Sequence, residues 1–310
     1  MFDKAKVVFW IEEYLFYPKT LLQFLLSFLL LPLSGIYCLI VISKRLFCKK
    51  INFNIPIISV GNLTIGGSGK TPLVIELARQ RENCAIILRG YNRESSGLIV
   101  VSKESEILCN VAQSGDEAML YAKSLPKATV IVSEDRIKAI KYAKSLKCKI
   151  IFLDDAFSKS HIKKLDILIK PKLSPTLPFC LPSGAYREPK YLYNFADLLV
   201  QEGVDFQRVV DIKNPTDKMI LVTGISKPQR LDDYLPKNLI KKIYFEDHHI
   251  FTKDELEYLL QLHNASSILT TQKDAVKMDN FGLNLSIMEL RLEIKEEIKN
   301  KINTFLANFG

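Results

Sequence analysis

No Cys-x-x-Cys pair occurs in this sequence, and no histidine stands at metal-ligand spacing. The six cysteines, Cys38, Cys48, Cys84, Cys109, Cys148 and Cys180, are scattered along 310 residues. A disulfide framework does not suit a Lys-rich chain of this length, so they read as small, mostly buried apolar residues in a reducing compartment. Internal repeats and low-complexity tracts are also lacking, which excludes a solenoid or a compositionally disordered chain. What remains is a folded protein with 48% hydrophobic residues and room for two domains. The net charge is +9 and the pI about 9.1. Such a balance suits nucleic acid, an anionic membrane surface or a phosphorylated ligand, and charge alone does not choose among them.

Charge is missing altogether from residues 21–43, LLQFLLSFLLLPLSGIYCLIVIS. As one helix this run would be on the order of 35 Å long, enough to cross a hydrocarbon core of roughly 30 Å. Pro32 and Gly35 would kink it, which membrane helices tolerate. Lys44, Arg45, Lys49 and Lys50 follow it, whereas its N-terminal flank mixes Asp3, Glu12 and Glu13 with Lys4, Lys6 and Lys19. That asymmetry assigns everything after Ser43 to the cytoplasm. A cleaved signal peptide fits poorly, because the run starts late and no small-residue cleavage site follows. A buried core helix fits less well than an anchor, because the run is apolar on every face. The expectation is a membrane anchor, spanning or lying in the interface.

After Asn52, short apolar runs alternate with helical periodicity. Residues 55–60, 84–88, 98–101, 128–132, 149–153, 165–169 and 197–200 read as strands, and 72–79, 116–124 and 135–145 as helices. Unbroken apolar strands between helices argue for a parallel sheet covered on both faces. Residues 171–193, rich in Pro and aromatics, read as loop. The alternation restarts near Met219, where Thr252 and Glu255 form a capping box for a helix over 253–262. The expected organisation is an anchoring segment at 1–50, a P-loop domain at 51–215 with a mainly parallel sheet, and a smaller α/β domain at 216–310.

Residues 61–71, GNLTIGGSGKT, follow a strand and precede a helix with Pro72 in its first turn. Strand, glycine loop, Lys-Thr and helix make the setting of a nucleotide phosphate loop. Gly66, Gly67 and Gly69 let backbone N–H groups wrap phosphate oxygens, and the helix N-terminus adds partial positive charge. The loop from Thr64 through Ile65 and Ser68 to Thr71 is expected to bind ATP. Lys70 would reach the β- and γ-phosphates and the Thr71 hydroxyl would hold Mg²⁺. The strict pattern places glycine where Thr64 stands. Residues 150–155, IIFLDD, form an apolar strand ending in two carboxylates, of which Asp154 or Asp155 should serve the metal, directly or through water.

Further polar clusters sit where strands end: Arg89 and Arg93, Asp116 and Glu117, Arg187 and Glu188, and Asp247 with His248 and His249. Singly they are weak. Asp116 and Glu117 could simply complement a helix dipole, the histidines could be surface or satisfied core residues, and Arg89 and Arg93 could be solvated. In order and spacing, however, PIISVGNLTIGGSGKTP, RGYNR, GDEAML, FLDDAF, LPSGAYREP, VTGISKP, FEDHHIFT and TTQKDAVKM resemble one family, the tetraacyldisaccharide 4'-kinases of lipid A biosynthesis in Gram-negative bacteria.

The resemblance implies that ATP phosphorylates the 4'-hydroxyl of a tetraacylated glucosamine disaccharide 1-phosphate. The setting would be the cytoplasmic face of the inner membrane, with lipid and not nucleic acid as partner. It implies Asp116 as base, His248 paired with it across a domain cleft, and Lys70 at the phosphates. It assigns Asn62, Arg89, Glu117, Arg187 and Glu188 to the acceptor or to transferred charge. Two departures stand out. The family's Gly-Phe-Gln-His after the Asp pair is here Ala156-Phe157-Ser158-Lys159, which leaves His161 as a stand-in, and its RGYGR has Asn92 for the second glycine. A GTPase is the first rival, but it would show Asn-Lys-x-Asp, and Asp-x-x-Gly after the strand that ends in the acidic pair: Asp154 is followed by Asp155, Ala156 and Phe157, and the nearest candidate for the former, residues 271–274, reads TQKD. A transport-coupled membrane ATPase subunit is the second.

Overall fold

The structure, a computed structural model, describes residues 4–309, with side chains from Val7 onward. Three helices come first, α1 Lys4–Phe16, α2 Leu21–Leu29 and α3 Leu31–Leu46. They are followed by β1 Ile57–Gly61, α4 Lys70–Ala78, β2 Cys84–Leu88, β3 Ile99–Lys103 and β4 Glu106–Ile107. Next come α5 Val111–Ser114, α6 Asp116–Ser124, β5 Thr129–Val132, α7 Arg136–Ser145, β6 Ile150–Asp154, β7 Leu165–Lys170 and β8 Leu198–Gln201. The chain ends through β9 Phe206–Lys213, β10 Met219–Thr223, β11 Leu239–Tyr244, α8 Lys253–Leu262, β12 Ser267–Thr271, α9 Gln272–Met278, β13 Leu285–Ile294 and α10 Glu296–Ala307.

A large sheet has the order β4-β3-β5-β2-β6-β1-β7-β8, and a second of five strands the order β11-β10-β12-β13-β9. The pairs β1–β7, β7–β8 and β2–β5 are parallel, while β3 runs antiparallel to β5 and folds back into β4. β1, β2 and β5 are buried along their whole length, which is why they read as continuous apolar runs. The β3–β4 hairpin, with two exposed residues in β4, carries too little pattern to be read as such.

Contacts group the chain into two compact units, one of residues up to 70 with 152–207 and 294–310, the other of 71–151 with 208–293. This grouping differs from the expected borders at residues 50 and 215. β9 joins the second sheet from upstream of 216, and α10 belongs with the first unit.

The N-terminal membrane helix, expected within 21–43 as spanning or interfacial, does not form as one continuous helix. Pro32 lies in the first turn of α3, where it has no N–H to continue the ladder of α2, so the chain breaks at Leu30. The two helix axes diverge by 50°. Among the described residues no single helix is long and apolar enough to cross a membrane, although this bent pair passes by length and composition together. One side of the helical region is tied to its own unit. Ser34 donates to the Cys180 carbonyl at 2.9 Å and bonds Ser183 Oγ at 2.8 Å, and the Tyr37 hydroxyl donates to the Arg187 carbonyl at 2.7 Å. The other side leaves Leu21, Leu25, Phe28, Leu29, Leu33, Ile36 and Leu39 exposed, Leu21 by 76%.

All six cysteines are free thiols. Cys84 and Cys180 are buried and the other four half-buried, and burial pushes the Cys84 thiol up to about 11. The expected capping box of α8 is half made: Thr252 accepts from the Glu255 N–H at 3.3 Å, but the Glu255 carboxylate goes to His249 at 3.0 Å.

Candidate functional site

The first cluster grows from the end of β1. Asn62 is buried, and its Nδ2 donates to the Thr64 carbonyl at 2.8 Å, shaping the start of the glycine loop. Gly66 and Gly69 have φ of +83° and +82°, the left-handed region that glycine reaches without strain. Lys70 opens α4, with Thr71 next to it. The Lys70 ammonium donates to Asn62 Oδ1 at 3.0 Å and lies 3.8 Å from Asp155. Asp155 follows β6 with φ +51°, and its N–H donates to the Val60 carbonyl at 2.9 Å, which holds the acidic pair beside β1.

Residues 171–193 are not featureless loop. Thr64 bridges Tyr186, and the Ile65 and Arg187 amides donate to the Ala185 and Leu63 carbonyls at 2.9 and 2.7 Å. This aims the Arg187 guanidinium at the phosphate loop. It grips the Asp155 carboxylate with two bonds of 2.8 Å and reaches Asn62 Oδ1 at 2.7 Å. The paired fork is the strong form of such a contact. Glu188 is buried and 3.4 Å from Arg45 of α3, whose guanidinium lies 4.2 Å above the Phe157 ring. Burial pushes the Glu188 carboxyl above the usual carboxylate value despite Arg45 and Arg187.

The donors that could receive a magnesium ion are all oxygens: the Thr71 hydroxyl and the carboxylates of buried Asp154 and exposed Asp155. Such hard donors fit Mg²⁺, which takes few protein ligands beside nucleotide phosphates and water. The Ser68 hydroxyl is buried in the loop with no hydrogen-bond partner, as a cradle for a polar guest would leave it. Among the described residues no group of three His, Cys, Asp or Glu side chains comes together, so a cage built from protein alone is not present.

The second cluster gathers three segments far apart in sequence. Asp116 begins α6 after Gly115, whose φ of +83° and ψ of +157° admit only glycine; a Cβ there would lie 2.8 Å from the Tyr91 carbonyl. His248 Nδ1 is 3.0 Å from Asp116 Oδ2, and Tyr91 flanks the imidazole at 5.6 Å between rings. His248 sits in the left-handed region, φ +63°, with its N–H on the Gly224 carbonyl at 3.1 Å. Gly224 has to lack a side chain, since a Cβ would be 2.9 Å from the Glu246 carbonyl. The VTG and DHH runs are therefore one packing unit. Asp116 and His248 lie in the same compact unit, so their pairing is internal to it and does not bridge a cleft between units.

Lys277 on α9, which sequence reasoning left without a role, places its ammonium 3.0 Å from Asp116 Oδ2. Burial pushes the Asp116 carboxyl upward, but the His248 bond and the Lys277 charge outweigh it, and the group lies below the ordinary carboxylate value. The TTQKDAVKM motif was a signal for this residue. Its role needed the placement of α9.

The remaining expected residues divide. Arg89 is exposed just past β2 and Glu117 is half-buried beside Asp116. Arg93 is not solvated: it is 2% exposed, ion-paired with Glu134, and donates to the Gly97 carbonyl at 2.6 Å. Asn92 takes φ +56°, a conformation asparagine tolerates, which explains how it replaces glycine. His249 stacks on Phe245 at 4.3 Å and pairs with Glu255, away from Asp116. Lys159 follows the acidic pair and its carbonyl accepts from Lys164 at 3.2 Å, while the His161 carbonyl accepts from Ile51 at 2.7 Å.

Known proteins resemble this chain along its length. A family profile described as LpxK: Tetraacyldisaccharide-1-P 4'-kinase matches residues 26–219 and 206–308. A tetraacyldisaccharide 4'-kinase of Aliarcobacter butzleri is 54% identical over 314 residues, covering 99% of each chain. One of Helicobacter pylori is 46% identical over 299 residues, 96% of this chain and 95% of that one. Among solved structures, the "apo" form of LpxK from Aquifex aeolicus in complex with ATP superposes with a TM-score of 0.76 at 28% identity. The match covers 92% of this chain and 99% of that one.

Proposed function

The chain belongs to the tetraacyldisaccharide 4'-kinase family, and from that membership we propose that it transfers the γ-phosphoryl group of ATP to the 4'-hydroxyl of a tetraacylated glucosamine disaccharide 1-phosphate. The observation that carries this reading is the Asp116 carboxylate held by His248 in a chain that also carries a glycine loop with its lysine. A nucleotide switch needs no base for a sugar hydroxyl.

In the reaction the acceptor oxygen bonds to the γ-phosphorus as its proton passes to Asp116. The bond from that phosphorus to the bridging oxygen breaks, and ADP leaves. General-base help of this kind is typically about 10²–10⁴-fold. Lys70 exchanges the Asn62 amide oxygen for charged phosphate oxygens, which are stronger acceptors. Arg187 holds Asp155 and Asn62 in place while that exchange occurs. Thr71 with Asp154 or Asp155 would hold Mg²⁺. When bound, the ion neutralises charge on the transferred group. Asn62, Arg89, Glu117 and Glu188 are proposed to serve acceptor binding, with Glu188 acting through Arg45 and the backbone beside Arg187.

The proposed location is the cytoplasmic face of the bacterial inner membrane. The exposed leucines, isoleucines and Phe28 of α2 and α3, with Lys44 in the last turn of α3 and Lys49 and Lys50 after it, support an attachment that lies in the interface. Incubation with labelled ATP and a tetraacylated disaccharide 1-phosphate in mixed micelles should yield a labelled glycolipid. Labelled inorganic phosphate with no labelled lipid would instead identify an ATPase.

A further inference from the structure

Lys277 is a buried cation at the base. Its side chain is 8% exposed, and its ammonium lies 3.0 Å from Asp116 Oδ2, 3.3 Å from Asp274 Oδ1 and 3.2 Å from the His249 carbonyl, which accepts from it. The Phe251 ring closes the remaining side at 5.6 Å. Asp274, fully buried, is itself fixed: its Oδ2 accepts from Thr223 at 2.7 Å, from the Gly224 N–H at 3.0 Å and from Thr271 at 3.1 Å. A chain of fixed charges thus runs from the end of β10 through Asp274 and Lys277 to Asp116.

We propose that Lys277 is a positioning residue for the phosphoryl transfer: together with His248 it captures one oxygen of Asp116, keeps the carboxylate charged, and presents the other oxygen to the acceptor hydroxyl. This rests on the kinase reading above. Both donors stand 3.0 Å from the same atom, Oδ2, so Oδ1 is the oxygen that takes the proton. Two donors converging on one oxygen fix the rotation of the carboxylate, which one donor would leave loose. A substrate-binding lysine would present its ammonium to solvent. This one is spent on two carboxylates and a carbonyl. The charged and titratable groups around Asp116 are Tyr91 after β2, Glu117 on α6, Asp247, His248 and His249 before α8, and Lys273, Asp274 and Lys277 on α9. Lys273 neutralises Asp247 at 3.2 Å, so Lys277 is the cation that reaches the base directly.

The test replaces the charge and reads the base. Lys277→Met should lower kcat by about 10²-fold, as a misplaced catalytic group does, with KM for ATP unchanged. Its kcat/KM should lose its acid side at higher pH than the natural enzyme, because Asp116 then protonates more easily. Lys277→Arg should recover most of the rate. Independently of turnover, the Asp116 carboxyl followed by ¹³C NMR titration should have its midpoint raised in Lys277→Met. Should that variant fail to fold, Lys277→Gln keeps a donor without the charge, and its titration decides. An unmoved titration midpoint overturns the proposal, as does a raised KM for the lipid with kcat intact, which would make Lys277 a substrate contact. Absence of lipid phosphorylation by the natural enzyme would sink the kinase reading instead, and the titration would still test Lys277.

Discussion

The phosphate-loop cluster and the base cluster are both networks of opposite charges, but they are built for different events. In the first, Lys70 rests on the neutral Asn62 amide oxygen, a weaker acceptor than a phosphate oxygen, while Arg187 grips Asp155 and Asn62. Asp155 is 41% exposed at its side chain. In the second, Asp116 is 15% exposed and Lys277 8%, and behind them Asp274 accepts from backbone and hydroxyls. In the proposed reaction Lys70 changes partner when nucleotide arrives, whereas the base network is set beforehand. The buried carboxylates of the two units differ in the same sense. Glu188 has one cation at 3.4 Å and burial wins, moving it up. Asp116 has two donors at 3.0 Å and they win, moving it down.

Removing the preset group should have the largest effect. Asp116→Ala is expected to lower kcat by about 10²–10⁴-fold, with ATP affinity by equilibrium binding almost unchanged. Collapse of nucleotide binding with the residual rate intact would erase the contrast. Lys70→Ala should act on both quantities, because a charge-assisted bond to phosphate contributes about 1.5–3 kcal/mol. Unchanged ATP affinity would show that Lys70 keeps its partners when nucleotide binds. Gly115→Ala places a side chain at φ +83° against the Tyr91 carbonyl, and a denaturant midpoint should report a loss of about 1–3 kcal/mol. Smallest is Ser34→Ala, which frees α3 from Cys180 and Ser183 and should cost about 1 kcal/mol.

Acidity sharpens the same comparison. The native pKa of Asp116 lies below its unfolded value, so its contribution to stability is present above the ordinary carboxylate range and is lost as pH falls through the native pKa. Glu188 has the opposite sign: its native pKa is raised, so its contribution is fullest at low pH and falls as pH rises. Acid titrations of stability for Asp116→Asn and Glu188→Gln should therefore deviate from the natural protein in opposite directions. Deviations of one sign would mean that burial dominates both sites.

The legibility of these features follows how local their causes are. The glycine loop was readable because its glycines, Lys70 and Thr71 act within one stretch between strand and helix. Asp116 and His248 carried little meaning singly and gained it only in the ordered string of motifs, since they are 132 residues apart in the chain. Lys277 stood in a quoted motif without a role. The apolar run at 21–43 was plain, but its outcome, left open between spanning and interfacial, was not: with a proline in the first turn of α3, and serine and tyrosine contacts to residues 180–187, it is a bent pair. The two-residue β4, which folds back on a β3 that was read, and β9 were too short or too mixed in pattern to read.

Sequence alone determined where backbone must bend around phosphate, where apolar strands run, and which side chains carry charge. Those properties are decided by neighbouring residues, through glycine's missing Cβ, strand burial and helix periodicity. Only the tertiary structure decided which charges meet: Arg187 with Asp155, and Lys277 with the oxygen of Asp116 that His248 also holds. Electrostatic partnership falls off over a few ångströms of space and takes no account of separation along the chain, so folding has to choose it.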